Sequence, residues 1–316
     1  MKNIYISSCE KNGGIYRYSL ENGKLVFADK TDIDRPMYSV FNDGKMWVLL
    51  RETDEKSHFG GIMSFDIGND GKLCDPSEIK STNGICPCHL SAGKNDVYFV
   101  NYLSGNVATL SGKTDTHSGI GVNLPRQDMP HTHFVGISPD GKYLLSCDLG
   151  LDCIYTYNFD LSVKCVVKVP SGHGARHLAY SECGKYVYCV NELMSSVCVF
   201  AYDDGVLTLR NTYSCIENST KENYSAAIMM KNGHLYISNR GEDTVVCFKA
   251  VGDGLEFQSR TKTGGIYPWD INFANDFLIC ANHHSDNVTV FSVENGALTQ
   301  TDNLTNLPKP ICITVI

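Results

Sequence analysis

Four side chains in this sequence could together bind an anion and run acid–base chemistry: His133, Arg176, Glu192 and Arg240. Paired guanidinium groups stabilise negative charge as it develops on an oxygen, and an imidazole or carboxylate can take a proton from water. A second set could hold a polar ligand beside them: His89, His131, Asp148, His177, Trp269 and His283. These residues lie far apart along the chain, so a fold must gather them.

The elements that would do so repeat. Stretches beginning at Cys88, His133, Arg176, Tyr224 and Tyr267 are versions of one another. Each opens on a short apolar run, turns at a polar tetrapeptide such as Pro139-Asp140-Gly141-Lys142, and continues as a β-rich run closed by a polar cluster. The second run closes at Asn101, Asp148, Asn191, Asn239 and Asn282, with spacings of 47, 43, 48 and 43. Two weaker copies start at Asn3 and Tyr38, with equivalent positions near Ser8 and Arg51. A period in the forties built of short strands predicts an all-β chain, a seven-bladed β-propeller of four-stranded antiparallel blades. The tail from Pro310 to Ile316 is a lone β-rich segment. It is expected to pair with the N-terminal strands and close the ring without an open sheet edge. The period runs through residues 1–316 without a linker, so they read as a single domain.

A hairpin is antiparallel, so the start of each blade's first strand and the end of its second share one face of the disc. The starts carry Cys88 and His89, His131 and His133, Arg176 and His177, Ser225, and Tyr267 with Trp269. The ends carry Asn101 with Tyr102, Asp148, Asn191 with Glu192, Asn239 with Arg240, and Asn282 with His283 and His284. The opposite face receives only generic turn sequences. One face therefore gathers two arginines, a glutamate, several histidines and aromatic rings, a set able to bind an anion and run acid–base chemistry.

Each candidate also has a plainer reading. The recurring Asn or Asp at the end of the second strand fits a cap that bonds its side chain to nearby backbone. Arg176 and Glu192 could form an ion pair within one blade, because such pairs imitate active sites. One residue of each adjacent pair at a strand start must turn into the sheet packing, which favours a structural role for His89 and His177. Cys86-Pro87-Cys88-His89, His131-Thr132-His133 and His283-His284 have ligand-like spacings, but a zinc site needs a second pair that the sequence lacks. No metal is expected. Serines stand outside any G-x-S-x-G context, and no G-x-G-x-x-G or Walker motif occurs, so neither a serine hydrolase nor a nucleotide cofactor is implied.

Composition narrows the partners. The formal net charge of −8 argues against nucleic acid, which requires a basic surface. No apolar run approaches the ~18 residues of a membrane span, and the first residues lack the pattern of a secretory leader. Of the fourteen cysteines, Cys147, Cys153, Cys189, Cys198, Cys247 and Cys280 stand where sister repeats carry Val, Ala, Ser or Thr, which reads as core filling rather than a disulfide framework. A reducing compartment, the cytoplasm, is the expectation.

The chain resembles the seven-bladed propeller lactonases, a family that includes propeller-type 6-phosphogluconolactonases and carboxymuconate cyclases. The carriers are PCHLS from Pro87, NYLSG from Asn101, PHTH from Pro130, SPDG from Ser138 and CDLGLD from Cys147. Downstream they are GARH from Gly174, VNEL from Val190, SAA from Ser225, SNRG from Ser238 and ANHHSDN from Ala281. The resemblance implies hydrolysis of a sugar δ-lactone in the pentose phosphate pathway, without cofactor, by His133 (or His131), Arg176, Glu192 and Arg240. It implies a small-molecule sugar lactone as the partner, with no nucleic acid and no membrane, and a monomer or weak homodimer. Two departures fall on the active face. The family's P-R-D reads Pro268-Trp269-Asp270 here, and the Gln that usually follows Ala-Asn is His283. The first removes a cation and offers a ring that could stack on a sugar. It leaves open an unphosphorylated or carboxylated lactone, a cycloisomerase, or a binding propeller without catalysis. The proton acceptor is Glu192 or His133.

Overall fold

The structure is a computed structural model and describes residues 2–53, 56–217 and 222–316. The regular structure of these residues is entirely β-strand, in seven antiparallel sheets that run from an inner strand a to an outer strand d. Blade 5 shows the pattern with Ala175–Tyr180, Tyr186–Asn191, Ser196–Asp203 and Val206–Ser214. Blade 1 is assembled from both ends of the chain. Pro310–Val315 supplies its strand a, followed by Asn3–Ser8, Gly14–Glu21 and Lys24–Thr31. Ile6 pairs with Ile313, and Asn3 and Ile316 exchange backbone hydrogen bonds of 2.9 and 3.0 Å. The predicted closure is therefore present.

Blade 2 departs from the four-strand plan. Its outer position is shared by Leu73–Cys74 and Lys80–Ile85, and both segments pair with Phe59–Ile67. The weak repeat copy beginning at Tyr38 runs through residues 54–55, which lie outside the described residues.

Second strands such as Val97–Asn101 and Leu144–Asp148 are buried throughout, because neighbouring blades cover both of their faces. They read as near-continuous apolar runs for that reason. The core consists of apolar layers between successive blades. Leu145 and Cys147 of blade 4 pack with Val187, Cys189 and Cys198 of blade 5. All fourteen cysteines are free thiols and eight are buried, the six at the repeat positions named above among them. Two of the strand-closing Asn residues tie their blade to the one before it. Asn101 donates to the Thr82 carbonyl of the preceding blade (3.3 Å), and Asn239 to that of Cys215 (3.0 Å).

The inner strands share one irregularity that sets up the site. In six blades the second residue of strand a is skipped by the ladder, with Ile311, Met37, Cys88, His133, Arg176 and Trp269 in the skipped places. Blade 6 breaks register over Ala226 and Ala227. A β-bulge re-aims the extra residue, and here all six skipped side chains line the central channel. A second tier stands beside the first. The residue after strand b is tied back to the one preceding strand a in six blades, as in Glu192 N–H to Gly174 O (2.8 Å) and Tyr102 N–H to Cys86 O (3.0 Å).

Candidate active site

The two tiers enclose a cavity of about 250 Å³ at the mouth of the channel. His133, Arg176, His177, Glu192, Arg240 and Trp269 all line it. Arg176 comes from the bulge of blade 5, Glu192 from the second tier of the same blade, and Arg240 from the equivalent second-tier position of blade 6. Adjacent blades therefore put a cation on either side of one carboxylate.

Glu192 is the hub. Arg176 Nε donates to its Oε2 at 3.0 Å, and Arg240 Nη2 lies 2.7 Å from the same oxygen. Arg126 Nη2 donates to Oε1 at 2.7 Å. Arg176 is further fixed by a 2.7 Å bond from Nη1 to the carbonyl of Ala226, the bulge residue of blade 6. Arg240 Nη2 is buried and, its ion pair with Glu192 apart, has no hydrogen-bond partner among the described residues. Its guanidinium sits in an aromatic box, 4.9 Å from the Trp269 ring, 5.1 Å from Tyr267 and 5.9 Å from Tyr224. Trp269 thus offers a surface that holds Arg240 by cation–π attraction. Its other neighbour is His283, at 5.1 Å.

Burial and charge set the protonation states. Burial would raise the Glu192 carboxyl, but the charges of Arg240, Arg176 and Arg126 together hold it below its ordinary value. Burial, with the charge of Arg240, pulls Arg176 down to about 10, which leaves it cationic at neutral pH. Burial and the charge of Arg176 push His133 well below 6.5, so its imidazole is neutral. His133 Nδ1 lies 3.9 Å from the Cys88 thiol, and Nε2 has no partner among the described residues. Asp270 lies on the cavity wall with Oδ2 accepting from Ile313 N–H at 2.8 Å, and burial raises it to about 7.

Four of the sequence-predicted residues stand behind the cavity lining rather than in it. His89 is buried among Tyr38, Phe134 and His177, with ring centroids 4.3, 4.5 and 5.0 Å away, and burial lowers it to about 3. His131 stacks on Tyr102 at 4.5 Å, and its Nδ1 is 3.2 Å from the Tyr102 carbonyl. Asp148 accepts from the backbone of His131 (2.9 Å) and Leu151 (3.1 Å) and from His117 (2.6 Å). His283 packs behind Trp269 with Nδ1 buried. Among the described residues no three His, Cys, Asp or Glu side chains converge as a metal site.

Sequence reasoning placed Tyr102 on this face without a role and missed Arg126, Arg51, Tyr38 and Asp270, all of which also line the cavity. Arg126 belongs to the inter-blade segment 117–131, outside the repeat. Its neighbour Gln127 is fully buried and donates to Leu149 O and Asp152 Oδ1, each at 2.8 Å. That anchorage holds the segment over the channel and projects Arg126 onto Glu192. The length of the insertion between two repeats was its one sequence signal.

Comparison with known proteins agrees with this architecture. A family model described as lactonase, 7-bladed beta-propeller matches residues 3–315. An uncharacterized protein of Staphylococcus aureus (strain USA300) is 31% identical, with 99% of each chain covered. Among solved structures, a Lactobacillus plantarum protein superposes with a TM-score of 0.91 at 26% identity over the whole of both chains. A candidate 6-phosphogluconolactonase from Bacteroides uniformis gives 0.90 at 25% identity, covering 100% of this chain and 99% of its own. A periplasmic gluconolactonase of Pseudomonas aeruginosa, at 22% identity, 0.89 and coverage of 100% and 99%, shares the fold. The chain belongs to the seven-bladed β-propeller lactonase family.

Proposed function

We propose that this protein hydrolyses a sugar δ-lactone, with 6-phosphogluconolactone as the first substrate to test, in the cytoplasm and without a metal ion. The observation that supports this is the pair of buried guanidinium groups, Arg176 and Arg240, converging on Glu192 beside the neutral His133. The lactone carbonyl oxygen lies against the two arginines, whose charge stabilises the tetrahedral oxyanion, a contribution of about 10²–10³ in rate per donor. Water attacks the carbonyl carbon while His133 Nε2 takes its proton. The intermediate then collapses, the ring C–O bond breaks, and His133 returns the proton to the departing ring oxygen, leaving an open-chain hydroxy acid.

Both oxygens of Glu192 are engaged by arginines, and their charges favour its ionised form, so its affinity for a further proton is small. It serves as the clamp that orients the cations, and His133 is the base. Four arginines against Glu192 and the half-titrated Asp270 give the cavity a positive balance suited to an anionic substrate.

The test is turnover of 6-phosphogluconolactone, gluconolactone and a carboxylated lactone, followed by proton release against the spontaneous rate. Acceleration of the phosphorylated lactone above the others supports the proposal. Acceleration of none of them by a folded protein rejects it in favour of a binding propeller.

A further inference from the structure

Arg126 differs from the other two arginines on Glu192 in ways that point to a separate task. Arg176 and Arg240 are almost wholly buried, at 1% and 4% side-chain exposure, whereas Arg126 is 38% exposed. Arg176 spends Nε on Glu192 and Nη1 on the Ala226 carbonyl. Arg126 makes its bonds through Nη2 alone, to Glu192 Oε1 at 2.7 Å and to the Tyr102 hydroxyl at 3.5 Å. Its Nε and Nη1 have no hydrogen-bond partner among the described residues. The guanidinium is held from below by the Tyr224 ring, 5.3 Å away, and the backbone that carries it is fixed through Gln127. A planar cation with a free edge, a rigid base and access to solvent at the cavity wall is an anion receptor in waiting.

Its position also fits one class of ligand. Arg176 and Arg240 approach one oxygen of the Glu192 carboxylate and Arg126 the other. The carbonyl-binding and anion-binding cations are therefore separated by little more than that carboxylate and its hydrogen bonds, the span of a single sugar ring. We infer that Arg126 forms a distal anion subsite that reads a phosphate carried on the far side of the lactone ring. This inference rests on the lactone-hydrolase reading for its substrate.

The experiment compares kcat and KM for 6-phosphogluconolactone and gluconolactone in wild type, Arg126→Met and Arg126→Lys. Loss of a charge-assisted bidentate contact should reduce the preference for the phosphorylated lactone about ten- to a hundredfold in Arg126→Met, mainly through KM. Arg126→Lys keeps the charge and should recover part of that preference. An equal loss on both lactones would mean that Arg126 acts only through Glu192, and an unchanged ratio would mean that it does not read the anion; either overturns the subsite.

Calorimetric titration with 6-phosphogluconate, gluconate and inorganic phosphate separates this inference from the activity on which it is built. If wild type turns over neither lactone, the hydrolase reading falls and the subsite is judged on binding alone. A preference for 6-phosphogluconate over gluconate that shrinks in Arg126→Met still supports it. Equal affinities in wild type, or binding of neither, reject it.

Discussion

At the scale of single residues, the account turns on charge balance around Glu192. Replacing it by Gln leaves the side chain's shape but withdraws the only anion in contact with Arg126, Arg176 and Arg240 among the described residues. Breaking a buried ion pair from one side costs about 3–5 kcal/mol, because the abandoned charge stays buried. Glu192→Gln should therefore lower the urea midpoint clearly while reducing kcat by about 10²–10³ as the arginines lose their orientation. A neutral effect on stability would show that water, not the protein, balances these cations. The second prediction concerns His133. Its pKa lies well below 6.5 through burial and the charge of Arg176, so it remains a neutral proton acceptor as the pH falls through 6.5. The acidic limb of kcat should accordingly lie below that value. A limb at or above 6.5 would assign the base elsewhere.

At the scale of elements, the inner strands combine packing with site construction. The bulge that projects His133 and Arg176 into the channel leaves the residues beside them, His177 and Phe134, against the buried His89. His89, His133 and His177 form a continuous imidazole layer, with His133 and His177 centroids 5.1 Å apart. All three have lowered pKa values, for which burial is the largest cause. Each is neutral when folded and charged when unfolded between its lowered value and 6.5, so the unfolded chain binds more protons over that interval. Stability should then fall as pH drops below 6.5, by at most about 1.4 kcal/mol per pH unit for each histidine. Denaturant titrations across that range would measure the slope, and His89→Phe should reduce it by one histidine's share. An unchanged slope would mean that His89 is already charged in the folded protein.

The repeat also explains what could be read from the sequence. Strands b are buried on both faces and keep dense apolar runs, so their period and the tiers beside them were legible. Outer strands such as Val206–Ser214 face solvent along most of their length and carry no comparable constraint. The split outer strand of blade 2 was invisible for the same reason. His133, Arg176, Glu192 and Arg240 were found because each breaks a pattern that its sister positions keep, and Trp269 because it departs from the P-R-D of the family. Arg126 obeys no pattern, since a non-repeating segment delivers it. Asp148 was drawn into the candidate set by its place beside the site, whereas its bonds are those of a buried turn anchor.

At the scale of the whole molecule, seven similar blades act as one ring because the chain ends share a sheet. Strand a of blade 1 also supplies Ile311 to the cavity wall and the Ile313 N–H that bonds Asp270. Removing Pro310–Val315 would expose the edge of Asn3–Ser8 and uncover the apolar layer built around Ile4 and Ile6. The truncated chain should lose a single cooperative unfolding transition and aggregate through the freed edge. Retention of one sharp transition in a melting experiment would show that the ring does not depend on its closure. The molecule is acidic as a whole, with a formal net charge of −8, yet gathers four arginines around the cavity at the channel mouth. Selectivity for an anion is thus a property of that pocket and not of the surface.

The most direct measurement is the rate of lactone opening by wild type and Arg176→Lys, followed by proton release at neutral pH with folding verified for both. Lysine keeps the charge but puts one nitrogen in place of the two that Arg176 divides between Glu192 and the Ala226 carbonyl. The account predicts rapid opening by the wild type and a fall in kcat of about 10²–10³ in the variant. Equal rates in the two proteins, or no acceleration by the wild type, would contradict it.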